Sequence, residues 1–253
     1  MLHTSFQNMN SLRTPLLLSL LALSVLFVSP HKLSAQMFTE TSGSNTRSFL
    51  DNVTLSSGLS FMSFTSVGDL RAGEASFEFD HPMLTLEAQL PSIKIGFRVA
   101  NGLVGLEDPA ARSIYAELGR RLRIAGESSF QITAPIAIRT DFMKVSLDKS
   151  PSIFSQSSFQ ARGGLDGLIR LAGGQGVFVF GGGGAFGFSN SQGSIFGGTY
   201  QGLFAHSEVR VQPRALDAGL FIRVTAEASR YEIDGELYDY DLSGWGAMIG
   251  VSF

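Results

Sequence analysis

The stretch 176-GVFVFGGGGAFGFSN-190 admits two readings that lead to different folds. Gly182, Gly184 and Gly187 match the spacing G-x-G-x-x-G, in which a strand runs into a helix whose N-terminal N–H groups face a pyrophosphate. Glu208 stands roughly 20 residues further on, where that fingerprint wants an acid. The competing reading is one long strand. Phe178, Phe180, Phe186 and Phe188 share one parity, and Val177, Val179, Gly181, Gly183, Ala185 and Gly187 share the other. The two-residue period therefore passes through the glycines unbroken. The residues that follow, Ser189 to Ser194, lack the apolar spacing of a helix and are poor helix formers. We read the stretch as a strand with an aromatic face and a small-residue face, the latter leaving room for large neighbours or for curvature.

The same period recurs on both sides. Near 53–65, Leu55, Leu59 and Phe61 alternate with Ser56, Gly58 and Ser60. Near 74–88, Phe77, Phe79, Leu84 and Leu86 oppose Glu78, Asp80, Thr85 and Glu87, with a parity slip at His81-Pro82 that reads as a bulge. After a turn at Leu90-Pro91, Ile93, Ile95, Phe97 and Val99 oppose Lys94, Gly96 and Arg98. Further strands are expected near 112–125, 129–143, 157–172, 199–212 and 217–232, with a last one ending the chain. Together they make about ten, an even number of the kind that closes an up-and-down barrel. Short turns at Leu90-Pro91, Gly126 to Ser128, Gly173 to Gln175 and Pro213 to Ala218 interleave with the longer links Val104 to Ala111, Ser146 to Ser155 and Asn190 to Gly198.

The ends of the chain say where such a sheet would sit. Arg13 precedes an apolar run from Leu16 to Val28, which closes on the small residues Ser34-Ala35 in the layout of a cleaved secretory signal peptide. We expect a signal peptide over 1–35, a polar segment over 36–52 and a barrel over 53–253. Losing Arg13 and Lys32 with the signal takes the formal charge from −3 to −5, so nucleic acid is not expected as a partner. There is no cysteine, hence no disulfide, thiolate metal site or lipid-bearing cysteine.

At the other end, 242-LSGWGAMIGVSF-253 alternates Trp245, Ala247, Ile249 and Val251 with Gly246, Met248, Gly250 and Ser252 and stops on Phe253. Such a strand resembles the terminal strand of bacterial outer-membrane β-barrel proteins. The resemblance implies an all-β, transmembrane antiparallel barrel in the outer membrane of a Gram-negative-type bacterium. It further implies that Trp245, Ile249, Val251 and Phe253 act as the assembly signal for the barrel-insertion machinery. With an even strand count both mature termini are expected on the periplasmic side. Lipid and lipopolysaccharide are then the expected surroundings. Aromatics near strand ends, Phe130, Phe142, Phe159, Phe188, Tyr231, Trp245 and Phe253, fit the girdles of such barrels.

Parity sends a balanced set of charges inward: Glu87, Arg98, Glu117, Arg121, Arg139, Asp141, Arg162, Asp166, Arg170, Glu208, Arg210, Arg223 and Glu227, with Glu78, Asp80, Lys94, Arg123 and His206. Interleaved carboxylates and guanidinium groups can satisfy one another, and about ten strands leave little bore around long side chains. A charge-filled plug is the expected lumen, and a narrow channel for small polar solutes is the alternative. Arg120 falls on the lipid-facing parity beside Leu118 and Leu122, where it must snorkel to the boundary or sit in a bulge.

Two hydrolase patterns were weighed. The omptin proteases pair two rim aspartates with an Asp/His couple. Asp239, Asp241, Asp80 and His81 offer the residue types in the reverse order, with His81 below the rim. In His206-Ser207-Glu208 the serine faces away from the histidine, because neighbours on a strand point to opposite faces. The acidic run Glu232, Asp234, Glu236, Asp239, Asp241 matches no calcium-loop spacing. We therefore expect neither an enzyme nor a cofactor, but a structural or surface-interaction role.

Overall fold

The computed structural model describes residues 53–66, 77–100, 110–127, 129–146, 153–171, 176–191, 198–213, 218–233 and 240–253. The expected signal peptide, its cleavage after Ala35 and the polar segment to 52 lie outside the described residues. Ten strands follow one another: β1 Thr54–Ser66, β2 Phe77–Gln89, β3 Ile93–Ala100, β4 Ala110–Gly126, β5 Phe130–Ser146, β6 Ile153–Arg170, β7 Gly176–Ser191, β8 Gly198–Val211, β9 Gly219–Ile233 and β10 Tyr240–Ser252. Each pairs antiparallel with its neighbour in sequence, and β1 pairs with β10, so the sheet closes into a barrel. At the seam Phe61 stacks on its cross-strand partner Trp245 at 4.4 Å, and the Phe253 N–H donates to the Val53 carbonyl at 2.9 Å. Closure removes the two free edge strands that an open ten-stranded sheet would have.

The chain turns tightly at the end that carries both strand termini. Leu90 N–H donates to the Ile93 carbonyl at 2.7 Å, and Glu127 N–H to that of Phe130 at 2.7 Å. Gly126, at φ 116°, takes the left-handed region that other residues avoid, and Arg123 Nη2 donates to its carbonyl at 2.7 Å. We call this the turn end and the opposite one the loop end.

The glycine run lies in the middle of β7, paired in continuous register with β6 and β8. No helix opens there. Phe186 and Phe188 project outward, 69% and 59% exposed, while Val177, Val179 and Ala185 are buried inside. The glycines matter to the wall itself: a methyl at Gly183 would overlap the Gly163 carbonyl, and one at Gly164 the Gly182 carbonyl. Two strands thus approach where neither carries a side chain. Gly96 serves the lumen instead, since a methyl there would collide with the Tyr115 ring.

Exposure is inverted relative to a water-soluble core. Leu59, Leu118, Ile136, Ile138, Leu165, Leu203, Ile222, Trp245 and Ile249 face outward and are exposed, and Arg139, Asp166, Glu208, Arg210 and Arg223 are buried inside. A continuous apolar belt of this size would cost heavily in water, about 25 cal/mol per Å². Hydrocarbon is the solvent it fits, and the chain is a transmembrane β-barrel of the outer-membrane type.

Three expectations are corrected. First, β2 has no bulge at His81-Pro82: its pairing with β1 runs without a shift through Pro82↔Phe61. Among the described residues, pairing with β3 begins only at Leu84, so Pro82 has one partner strand, a place where sheets accept proline. Unbroken alternation therefore turns Phe79 inward, 1% exposed, and Asp80 outward. The side chains of Phe77 and Glu78 lie outside the described set. Second, of the two placements left open for Arg120, a bulge at Gly119-Arg120-Arg121 is not found: the register shifts further on, between Arg123 and Ala125. Arg120 is in regular register and points outward. It sits past the last β3–β4 pair, Ile93↔Leu118, level with the neighbouring turn, where snorkelling reaches the boundary. Third, Tyr231 is not a girdle residue but is buried inside, whereas Phe130, Phe142, Phe159, Phe188, Trp245 and Phe253 are outward and exposed.

A closed barrel keeps its compact form in detergent until heated. Unboiled, detergent-extracted protein should migrate faster on a gel than the boiled sample, and identical migration of the two would overturn the fold.

Candidate functional site

The lumen is built in tiers, because each strand contributes every second residue to it. At the turn end Arg223 of β9 donates through Nε to Glu208 Oε2 at 2.7 Å and through Nη1 to Glu87 Oε1. Arg210 Nη2 takes the other Glu208 oxygen at 2.6 Å, and Tyr115 Oη donates to the other Glu87 oxygen at 2.5 Å. Both carboxylates are thus engaged on both oxygens. Phe221 lies beneath the two guanidinium groups, 5.3 Å from that of Arg210 and 5.1 Å from that of Arg223. Charges taken out of water are tolerated only with this degree of pairing.

The middle tier repeats the device. The Arg139 guanidinium lies over the Tyr115 ring at 4.0 Å and its Nη2 reaches Asp141 Oδ2 at 2.5 Å; Ser113 donates to the second Asp141 oxygen at 3.1 Å. Arg98 Nη1 donates to Glu227 Oε1 at 3.1 Å. Arg162 stacks over Phe204 at 4.3 Å and shares Glu117 with Lys94, each nitrogen 3.7 Å from its own carboxylate oxygen. Arg121 Nε meets Asp166 Oδ2 at 3.4 Å, and His206 Nε2 lies 3.6 Å from Asp166 Oδ1. These side chains surround a cavity of about 150 Å³, into which Asp166 Oδ1 and Gln89 Oε1 bring acceptors without a hydrogen-bond partner. A space of that size, with polar walls, accommodates a few waters.

Of the thirteen inward charges expected on the lumen, twelve gather in these two tiers: Glu87, Arg98, Glu117, Arg121, Arg139, Asp141, Arg162, Asp166, Glu208, Arg210, Arg223 and Glu227. Arg170 stands apart, exposed at the turn end of β6 and in no ion pair with a described residue.

Above the charges, toward the loop end, lies a tier that residue-by-residue charge reading missed. Met62, Phe79, Met83, Met143, Val145 and Leu242 form an apolar cluster with Tyr200, Tyr231 and Tyr240, all within the barrel and nearly inaccessible. The tyrosines stack in series, Tyr200 to Tyr231 at 4.9 Å and Tyr231 to Tyr240 at 4.5 Å, and Tyr200 Oη shares a hydrogen bond with Ser229 at 3.0 Å. The signal was present in the alternation. Met143 and Val145 share a parity with Arg139 and Asp141, as Tyr231 does with Glu227.

The hydrolase residues do not converge. Asp80 and His81 point to opposite faces of β2, and His81 packs edge-on to Phe79 at 5.4 Å. Asp241 is outward, directly opposite Arg230, and Asp239 lies outside the described residues, as do Asp234 and Glu236. Ser207 and His206 are on opposite faces of β8, and His206 is turned to Asp166. Among the described residues no group of three or more His, Asp or Glu is placed to hold a metal ion.

No known protein family matches the chain, and no curated protein does. Solved structures similar to it are outer-membrane barrels. The outer membrane protease OmpT of Escherichia coli is 12% identical over 83% of this chain and 99% of its own, with a TM-score of 0.45. The translocator domain of the autotransporter NalP of Neisseria meningitidis is 11% identical over 80% and 88%, at 0.35. The toluene transporter TodX of Pseudomonas putida is 10% identical over 80% and 89%, at 0.25. At these values none of them lends its activity to this chain.

The burial of the ion pairs ranks their energetics. Replacing Arg223 by Met leaves two buried carboxylates short of a partner and should destabilise the barrel by about 3–5 kcal/mol. Replacing the half-buried Lys94 by Met, whose pairing with Glu117 is long, should cost under about 1 kcal/mol. Urea unfolding in lipid vesicles, followed by Trp245 fluorescence, measures both, and equal effects would contradict the tiered description.

Proposed function

We propose that the protein is an integral outer-membrane barrel with a sealed lumen, whose loop end faces outward and whose role is structural or surface interaction. The observation that carries this reading is the vertical order of the lumen. An apolar tier of Phe79, Met83, Met143, Leu242 and the stacked tyrosines lies in the bore above the buried Arg223–Glu87 and Arg223–Glu208 ion pairs. An ion moving through would have to leave water among these apolar and aromatic side chains, which is costly. No catalytic or cofactor role is assigned. Surface interaction would fall to the links over 67–76, 101–109, 147–152, 192–197 and 234–239, which join the strands at the loop end.

The competing reading is a narrow channel, favoured by the cavity of about 150 Å³ in the charged tiers. Planar-bilayer recording separates the two. Purified wild-type barrel should give no discrete conductance steps in molar salt. Combined Phe79→Ala, Met83→Ala and Tyr240→Ala substitution should open the tier and produce small, salt-dependent steps. Discrete steps from the wild type would displace the sealed barrel in favour of the channel.

A further inference from the structure

At the loop end of the outer wall, three cations on the described strands point outward: Arg112 of β4, Lys144 of β5 and Arg230 of β9. Arg230 is compensated, its Nε 3.2 Å from Glu232 Oε1 and its residue directly opposite Asp241. Arg112 and Lys144 are differently placed. They are direct cross-strand partners, both exposed, and neither forms an ion pair with a described residue. Like charges opposed on one face of an antiparallel pair repel, and an anion set between the two would relieve that repulsion.

The surroundings select the kind of anion. Across the next ladder Lys144 faces Ser155, so Arg112, Lys144 and Ser155 form one row over three strands. The next outward residues toward the middle of the wall are Ile114 and Phe142, themselves cross-strand partners and 50% and 54% exposed. A two-residue step along a strand is about 7 Å. Two cations that have no ion pair among the described residues, with a hydroxyl neighbour, therefore stand one such step beyond the apolar belt, where acyl chains give way to headgroups. A guanidinium and an ammonium side by side suit phosphate oxygens, and the exposed Ile114–Phe142 pair suits the chain beneath the same headgroup.

We propose that the Arg112–Lys144–Ser155 row is a binding site for the phosphate of a lipid in the leaflet at the loop end. It rests on the membrane reading above and deepens it by naming which part of the wall holds lipid specifically. A free phosphate ion lacks the acyl portion that the apolar pair accepts, so the site is committed to the lipid-borne group.

Delipidated barrel in neutral detergent, titrated with a diphosphorylated acylated disaccharide and followed by native mass spectrometry, tests this. The wild type should retain the glycolipid. The Arg112→Gln, Lys144→Gln double variant should bind at least tenfold more weakly, and Arg230→Gln should bind as the wild type does. The same glycolipid without phosphate should bind the wild type as weakly as phosphorylated glycolipid binds the double variant, and millimolar inorganic phosphate should not compete. Equal retention by wild type and double variant, or by both glycolipids, would overturn the site; effective competition by inorganic phosphate would overturn its assignment to lipid. Heat-modifiable migration of each sample shows separately that the barrel has formed, so a failed site is not confused with a failed fold.

Discussion

In hydrocarbon a backbone amide has no water to fall back on, so every N–H and C=O along a spanning strand must find a partner in the chain. The rest of this structure follows from that constraint. It demands the β1–β10 pairing that closes the sheet, and closure divides each strand's side chains into two sets that never mix. One set is then free to be greasy and the other to be ionic. The wall of Leu, Ile and Phe and the interior of Arg, Glu and Asp are two expressions of one ladder.

Within the lumen, aromatic rings do part of the work usually left to opposite charges. Tyr115 accepts the Arg139 guanidinium on its face while its hydroxyl serves Glu87, Phe204 underlies Arg162, and Phe221 underlies the Arg210 and Arg223 pair. Each ring supplies a polarisable surface to a cation whose carboxylate lies to one side. Gly96 fits this scheme, since only a residue without a side chain leaves the Tyr115 ring its place.

Much of this was legible in the sequence because a two-residue period survives any local choice of side chain. The glycine run of β7 could be told from a nucleotide fingerprint by Phe178 to Phe188 alone, and the inward set of β8 and β9 by Arg210, Glu208, Arg223 and Glu227. The errors arose where polarity was trusted over alternation. Phe79 reads as outward by its apolar character, which needs a bulge at Pro82, whereas unbroken alternation turns it inward. Tyr231 was placed in a girdle because it stands near a strand end. Both belong to the loop-end tier, which no charge inventory can reveal, because its members face the lumen without being polar. How the inward residues pair was not legible at all: the bond from Arg223 to Glu87 joins β9 to β2 across the bore, and no spacing along one strand encodes it.

The seam sets a rule of order for making the molecule. Thr54 has Gln89 of β2 on one flank and Ser252 of β10 on the other, and the Phe253 amide donates to the Val53 carbonyl. The β2 flank is supplied by the next strand in the chain, whereas the β10 flank needs a pairing distant in sequence, and such pairings are slow to form. The wall is closed only in the event that gives its first strand a neighbour on each flank.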